Sequence, residues 1–83
     1  MGQQKSAQVE KAIEKAYDSL TTQKEIITLS RHPNPTVRSA ATLHRKLPDR
    51  ELIRMFRHDP DFDVQTNAIM AINRRGIELY KGK

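Results

Sequence analysis

The sequence predicts an all-α chain in which a short helical unit is used twice behind a capping helix. Three observations carry this. Shifted by 27 residues, segment 22–48 lies over segment 49–75 without a gap. Leu29 falls on Phe56, Pro33 on Pro60, Asn34 on Asp61, Val37 on Val64, Ala41 on Ala68 and Ile26 on Ile53. A period of about 20–50 residues marks a supersecondary unit stacked so that neighbours bury what each cannot bury alone. Apolar residues recur at helical spacing, and no segment shows the alternation or paired β-branched runs of a strand. Cap residues stand in front of the periodic segments.

Ser6 is placed to cap a first helix reaching about Leu20. Val9, Ala12, Ile13, Ala16, Tyr17 and Leu20 give that helix one apolar face. Its mixed charges (Glu10, Lys11, Glu14, Lys15, Asp18) suit the outer cap of a stack. Thr22-Gln23-Lys24-Glu25 reads as a capping box: the Thr hydroxyl takes the Glu25 amide and the carboxylate reaches back. A short second helix with Ile26, Ile27 and Leu29 should end near His32. Asn34-Pro35 is a cap followed by Pro at the first helical position, where the missing N–H costs nothing. The third helix carries Val37, Ala40, Ala41, Leu43 and Leu47. Pro48-Asp49 opens a fourth helix with Leu52, Ile53 and Phe56, and Asp61 caps a fifth with Val64, Ala68, Ala71 and Ile72. Gly76 is placed to stop it in a left-handed turn, and residues 77–83 form a short turn or a frayed tail. The organisation is a single domain over residues 1–83: capping helix 6–21, units 22–48 and 49–75, and tail 76–83.

The turns carry a family resemblance. Arg31-His32-Pro33-Asn34-Pro35-Thr36-Val37-Arg38-Ser39-Ala40-Ala41 and His58-Asp59-Pro60-Asp61-Phe62-Asp63-Val64-Gln65-Thr66-Asn67-Ala68 resemble the turn and second-helix start of HEAT-like and leucine-rich-variant repeats. The resemblance covers the two units and implies a right-handed stack of two helical hairpins. It also implies a scaffold or partner-binding role, with nucleic-acid binding in a minority of the family. In such repeats a turn Asp and a helix Arg form a ladder between units. Each unit here keeps one half, His32 with Arg38 and Asp59 with Gln65, so the resemblance implies an Arg38–Asp59 link between the units.

Composition excludes several classes. At 83 residues the core is small, and with no cysteine there is no disulfide, iron–sulfur or thiolate zinc site. No apolar run approaches membrane-spanning length and no secretory leader is apparent, so a cytoplasmic protein is expected and a membrane partner is not. Gly2 with Ser6 fits the loose myristoylation pattern, although a plain start leading into a helix cap explains the same residues.

No chemistry is legible. His32, His44 and His58 have neither i,i+4 spacing nor a carboxylate cluster, so no metal is expected. Asp59, Asp61 and Asp63 resemble the start of a calcium loop but lack its Gly and distal Glu; helix capping accounts for them. No serine sits in a Gly-rich elbow and no glycine loop could cradle phosphate, so neither enzyme activity nor a cofactor is expected.

The functional candidates are the arginines. The net charge is +5, and residues 31–57 hold seven cations against Asp49 and Glu51. Arg50, Arg54 and Arg57 share one face of the fourth helix. Arg38, Arg45, Lys46, Arg74 and Arg75 extend the basic set. In the second unit Gln65, Ile72 and Asn73 replace Arg38, Arg45 and Lys46, so the basic stripe does not repeat as a nucleic-acid track would. Aromatic surface for stacking is also scarce: Phe56 and Phe62 read as core or staple residues, leaving Tyr17 and Tyr80. The C-terminal helix and tail look apolar on more than one face, through Ile69, Met70, Ile72, Leu79 and Tyr80. The expected function is a small adaptor or regulator docking an acidic protein surface through the arginines and this apolar patch. Binding of a DNA or RNA backbone is the alternative, and a second copy of the chain is a further candidate partner.

Overall fold

The computed structural model describes residues 2–79, with side chains from residue 7 onward. Among them there are five helices and no strand: α1 (Gly2–Tyr17), α2 (Gln23–Leu29), α3 (Pro35–Ala41), α4 (Asp49–His58) and α5 (Phe62–Arg75). The short α3 is the hub, packed against α1, α2 and α5, while α4 lies on α5. No described helix is long and apolar enough to cross a membrane.

One core runs through all five helices. Ala16, Ile26, Leu29, Val37, Ala40, Ala41, Leu47, Leu52, Met55, Val64, Ala68, Ala71 and Ile72 are buried. Four of these are alanines on α3 and α5, and small side chains permit close helix approach. Val9, Ala12 and Ile13 of α1 pack on the same core from its outer side.

Local chemistry starts and stops the helices. Thr22 Oγ1 accepts the Glu25 amide at 3.2 Å and Glu25 Oε1 accepts the Thr22 amide at 2.9 Å, a complete capping box. Asn34 Oδ1 accepts the amides of Thr36 and Val37, with Pro35 opening α3. Asp61 Oδ1 accepts the Val64 amide at 3.1 Å. Gly76 closes α5 at φ 72, ψ 27, a left-handed conformation natural to glycine. The Ile77 amide then donates back to the Ile72 carbonyl at 3.1 Å.

Three expectations change. α1 begins at Gly2, so Ser6 lies within it, and it ends at Tyr17 rather than Leu20. The cause is Asp18, whose Oδ1 accepts the Leu20 amide at 2.9 Å and turns the chain; Leu20 is left 82% exposed. α3 stops at Ala41 instead of continuing to Leu47. There the amides of Thr42, Leu43 and His44 bond carbonyls three residues back, which tightens the chain and throws Leu43 outward. Phe62 is neither core nor staple: it is 76% exposed at the start of α5.

Buried positions in segments 22–48 and 49–75 correspond at two different offsets. From the turns onward the shift is 27: Val37 and Val64 are both buried, as are Ala41 and Ala68. Over the first helices it is 26. Ile26 and Leu29 are buried on α2, but on α4 the buried pair is Leu52 and Met55; Ile53 and Phe56 are only half-buried. The reason lies at the end of α2. The amides of Arg31 and His32 bond carbonyls three residues back, a tighter turn than α4, which stays α-helical to His58. A tighter turn covers the same arc with one residue fewer.

This register can be checked by core truncation. Leu52→Ala should destabilise the fold by about 2–5 kcal/mol in urea denaturation. Ile53→Ala should cost less than half as much, and the reverse order would contradict the assignment.

Candidate functional site

The sequence singles out eight cations, and the structure sorts them into two groups. Arg38 belongs wholly to the interior. Its Nε donates to Asp59 Oδ2 at 2.9 Å and its Nη2 to Asp59 Oδ1 at 3.1 Å. Its Nη1 donates to the carbonyls of His32 and Pro33 at 2.8 and 3.0 Å. The Arg38 side chain is 12% exposed and that of Asp59 2%. Arg38 therefore engages four of its five N–H donors inside the fold and offers little to a docking surface.

Arg75 acts similarly at the other end of α5. Its guanidinium donates to the Leu47 carbonyl at 2.6 Å, the His44 carbonyl at 2.9 Å and Asp49 Oδ1 at 2.9 Å. The Leu47 carbonyl, and the His44 carbonyl that already accepts the Leu47 amide at 3.1 Å, are thus bonded by a cation held at a helix C-terminus, where positive charge is favoured. Arg54 donates to Glu51 Oε1 at 3.0 Å on its own helix, and Glu51 also receives Arg31 Nη2 at 3.0 and 3.1 Å. Lys46 Nζ reaches the Thr21 carbonyl at 3.1 Å. These four residues were expected on the basic face; their donors are engaged inside the fold.

Arg45, Arg50, Arg57 and Arg74 form the second group. All four are exposed, and none makes a side-chain hydrogen bond or ion pair among the described residues. The expected α4 stripe thus reduces to Arg50 and Arg57, on either side of a neutralised Arg54.

The apolar C-terminal surface also shrinks. Ile72 is core, 1% exposed, and Ile69 and Leu79 pack against the core. Ile77 does the same, so the end of the chain covers much of the face that looked open. Met70 alone of the apolar set is largely exposed, and Tyr80 lies outside the described residues.

Sequence reading missed the grouping of apolar side chains that do face solvent. Leu43 reads as part of an apolar helix face, as does Tyr17, which is also one of the two aromatics left for the surface; they are 54% and 61% exposed. They line an open groove of about 320 Å³ with Ser19, His44 and Arg45. The signal available was the Asp18-Ser19 pair, a helix-stopping dipeptide directly after Tyr17.

The histidines have structural roles. His44 Nδ1 accepts the Lys46 amide at 3.1 Å, which leaves its proton on Nε2, 2.9 Å from the Asp18 carbonyl it donates to. His32 Nδ1 accepts the Asn34 amide at 3.0 Å. Asp59 Oδ1 does the same for the Asp61 amide at 2.9 Å, 27 residues on. Gln65 matches the other half of Arg38's work, donating to the Asp59 carbonyl at 2.6 Å as Arg38 does to that of His32.

No family model, curated protein or solved structure matches the chain.

Two carboxylates are perturbed. Burial opposes ionisation of Glu51, but hydrogen bonds from Arg31 and Arg54 outweigh it and lower its pKa. Glu25 is held at about 2 against an ordinary 4.5, first by the Thr22 amide and then by Lys15, 2.9 Å away. A depressed carboxylate pKa adds stability that is complete above the unfolded value and lost as pH falls through the folded one. Glu25 therefore contributes fully above about pH 4.5 and loses its contribution towards about pH 2. Urea midpoints measured across that window should fall less steeply for Glu25→Gln than for the parent chain; parallel curves would contradict the capping-box assignment.

Proposed function

We propose that the chain is a non-enzymatic docking module: a short HEAT-like repeat, two right-handed helical hairpins (α2–α3 and α4–α5) behind the capping helix α1. The repeat reading is supported by like bonds at like positions: His32 and Asp59 each accept an amide two residues on, and Arg38 and Gln65 each donate six residues back. The partner is a protein with an acidic surface. The observation that carries this reading is the division of the cations: the unpaired arginines are few and dispersed, and exposed apolar side chains stand with one of them, Arg45, at a groove.

That pattern suits protein recognition better than a nucleic-acid track. Interfaces draw affinity from a few aromatic, aliphatic and Arg anchors rather than from total charge. Backbone binding to nucleic acid needs many phosphate contacts along a continuous path. Half of the expected basic set has side-chain donors engaged within the fold, and Arg38, Arg54 and Arg75 are paired with carboxylates.

Salt titration separates the two. If all four unpaired arginines met phosphates, the log–log salt slope on duplex DNA would be about −3.6. The docking reading expects no binding of duplex or single-stranded oligonucleotides at micromolar protein and low salt. Micromolar binding with a slope near that value would replace it with the nucleic-acid reading.

A further inference from the structure

Among the described residues five large apolar side chains stand well out in solvent, and three of them lie at the end of α1 or in the loops that follow α1 and α3. Tyr17 and Leu20 flank the α1–α2 loop, and Leu43 stands in the α3–α4 loop. The two loops are bonded to each other. His44 Nε2 donates to the Asp18 carbonyl at 2.9 Å, Lys46 Nζ to the Thr21 carbonyl at 3.1 Å and Gln23 Nε2 to the Lys46 carbonyl at 3.2 Å. Arg75 adds a third element by gripping the His44 and Leu47 carbonyls from α5. The apolar groups therefore project from a braced platform, and a braced site loses little freedom on binding.

The groove on this platform carries a definite charge pattern. Tyr17, Ser19, Leu43, His44 and Arg45 line it, and Arg45 is the one formally charged side chain among them. Asp18 belongs to the same loop but lines the neighbouring recess, beside Lys11 and Lys15, and its Oδ1 accepts the Leu20 amide at 2.9 Å. At about 320 Å³ the groove is at the low end of ligand sites, room for one or two side chains.

The geometry points to this groove as the docking site for an acidic peptide segment in which an apolar side chain lies next to a carboxylate. The apolar group fills the space between Tyr17 and Leu43. The carboxylate meets the planar fork of Arg45, which can bind both oxygens at once. A nucleic-acid strand fits less well, because Leu43 offers a base no stacking face and one arginine answers few phosphates. This rests on the protein-docking reading above and gives it a location.

The test is a ¹⁵N chemical-shift titration of the full chain with three probes. They are a blocked peptide alternating Glu with Leu and Phe, the same peptide with Lys for every Glu, and an oligothymidylate. The acidic peptide should move amides centred on residues 17–20 and 42–46. Arg45→Glu should weaken it at least about tenfold, a typical cost for an interface anchor, and Arg57→Glu less than about twofold. Both sites are exposed, and a dispersed spectrum of each variant confirms that the fold is intact. Shifts centred on α4, with affinity lost in Arg57→Glu, would overturn the groove and keep the docking function. No shift at millimolar acidic peptide, or equal shifts with the lysine peptide, would also overturn the groove. A response to the oligonucleotide alone would overturn both.

Discussion

One guanidinium joins the turns of the two halves of this chain. Arg38 sends two donors to Asp59 and two contacts to the carbonyls of its own turn, so the α2–α3 and α4–α5 turns share one cation. The arrangement propagates. Asp59, fixed by Arg38, accepts the Asp61 amide, and Asp61 in turn caps α5 at Val64. The start of the longest fully described helix thus depends on a residue two elements away. Removing either partner would leave the other buried and uncompensated, which is far more costly than the net worth of the intact pair.

The same economy recurs elsewhere. Short helices joined by tight turns leave many carbonyls without intrahelical partners, and a small core cannot hide them unsatisfied. Arg75 closes two of them in the α3–α4 segment and Lys46 one in the α1–α2 loop. Glu51, itself buried, is balanced by Arg31 and Arg54. A strongly basic sequence therefore does not make a uniformly basic surface. Among the described arginines Arg45, Arg50, Arg57 and Arg74 reach solvent unpaired, and of these Arg45 stands at the groove with exposed apolar neighbours.

Legibility from sequence followed the range of the interaction. Caps formed within three residues were readable: the Thr22–Glu25 box, Asn34 before Pro35, Asp61, and Gly76 at the end of α5. The family resemblance implied an Arg38–Asp59 link, and the structure brings the two side chains together. The ends of α1 and α3 were not readable, because they stop through bonds involving Asp18 and three-residue closures after Ala41. The face of α4 was misread because Leu52 with Met55 and Ile53 with Phe56 are both apolar pairs at helical spacing. Only the tighter turn after α2 decides between them. The site suffered from the same ambiguity: Tyr17 and Leu43 fit an apolar stripe, and the partners of Arg75 are backbone carbonyls that no side-chain pattern announces.

The central claim is that Arg38 and Asp59 couple the two halves energetically. A double-mutant cycle with Arg38→Gln and Asp59→Asn, read by urea denaturation, tests it most directly. Glutamine at this position can keep the bond to the His32 carbonyl, as Gln65 does in the second unit, while losing the reach to Asp59. A coupling of about 1.5–3 kcal/mol is expected for a charge-assisted bidentate pair. Additive single effects, with no coupling beyond experimental error, would contradict the account.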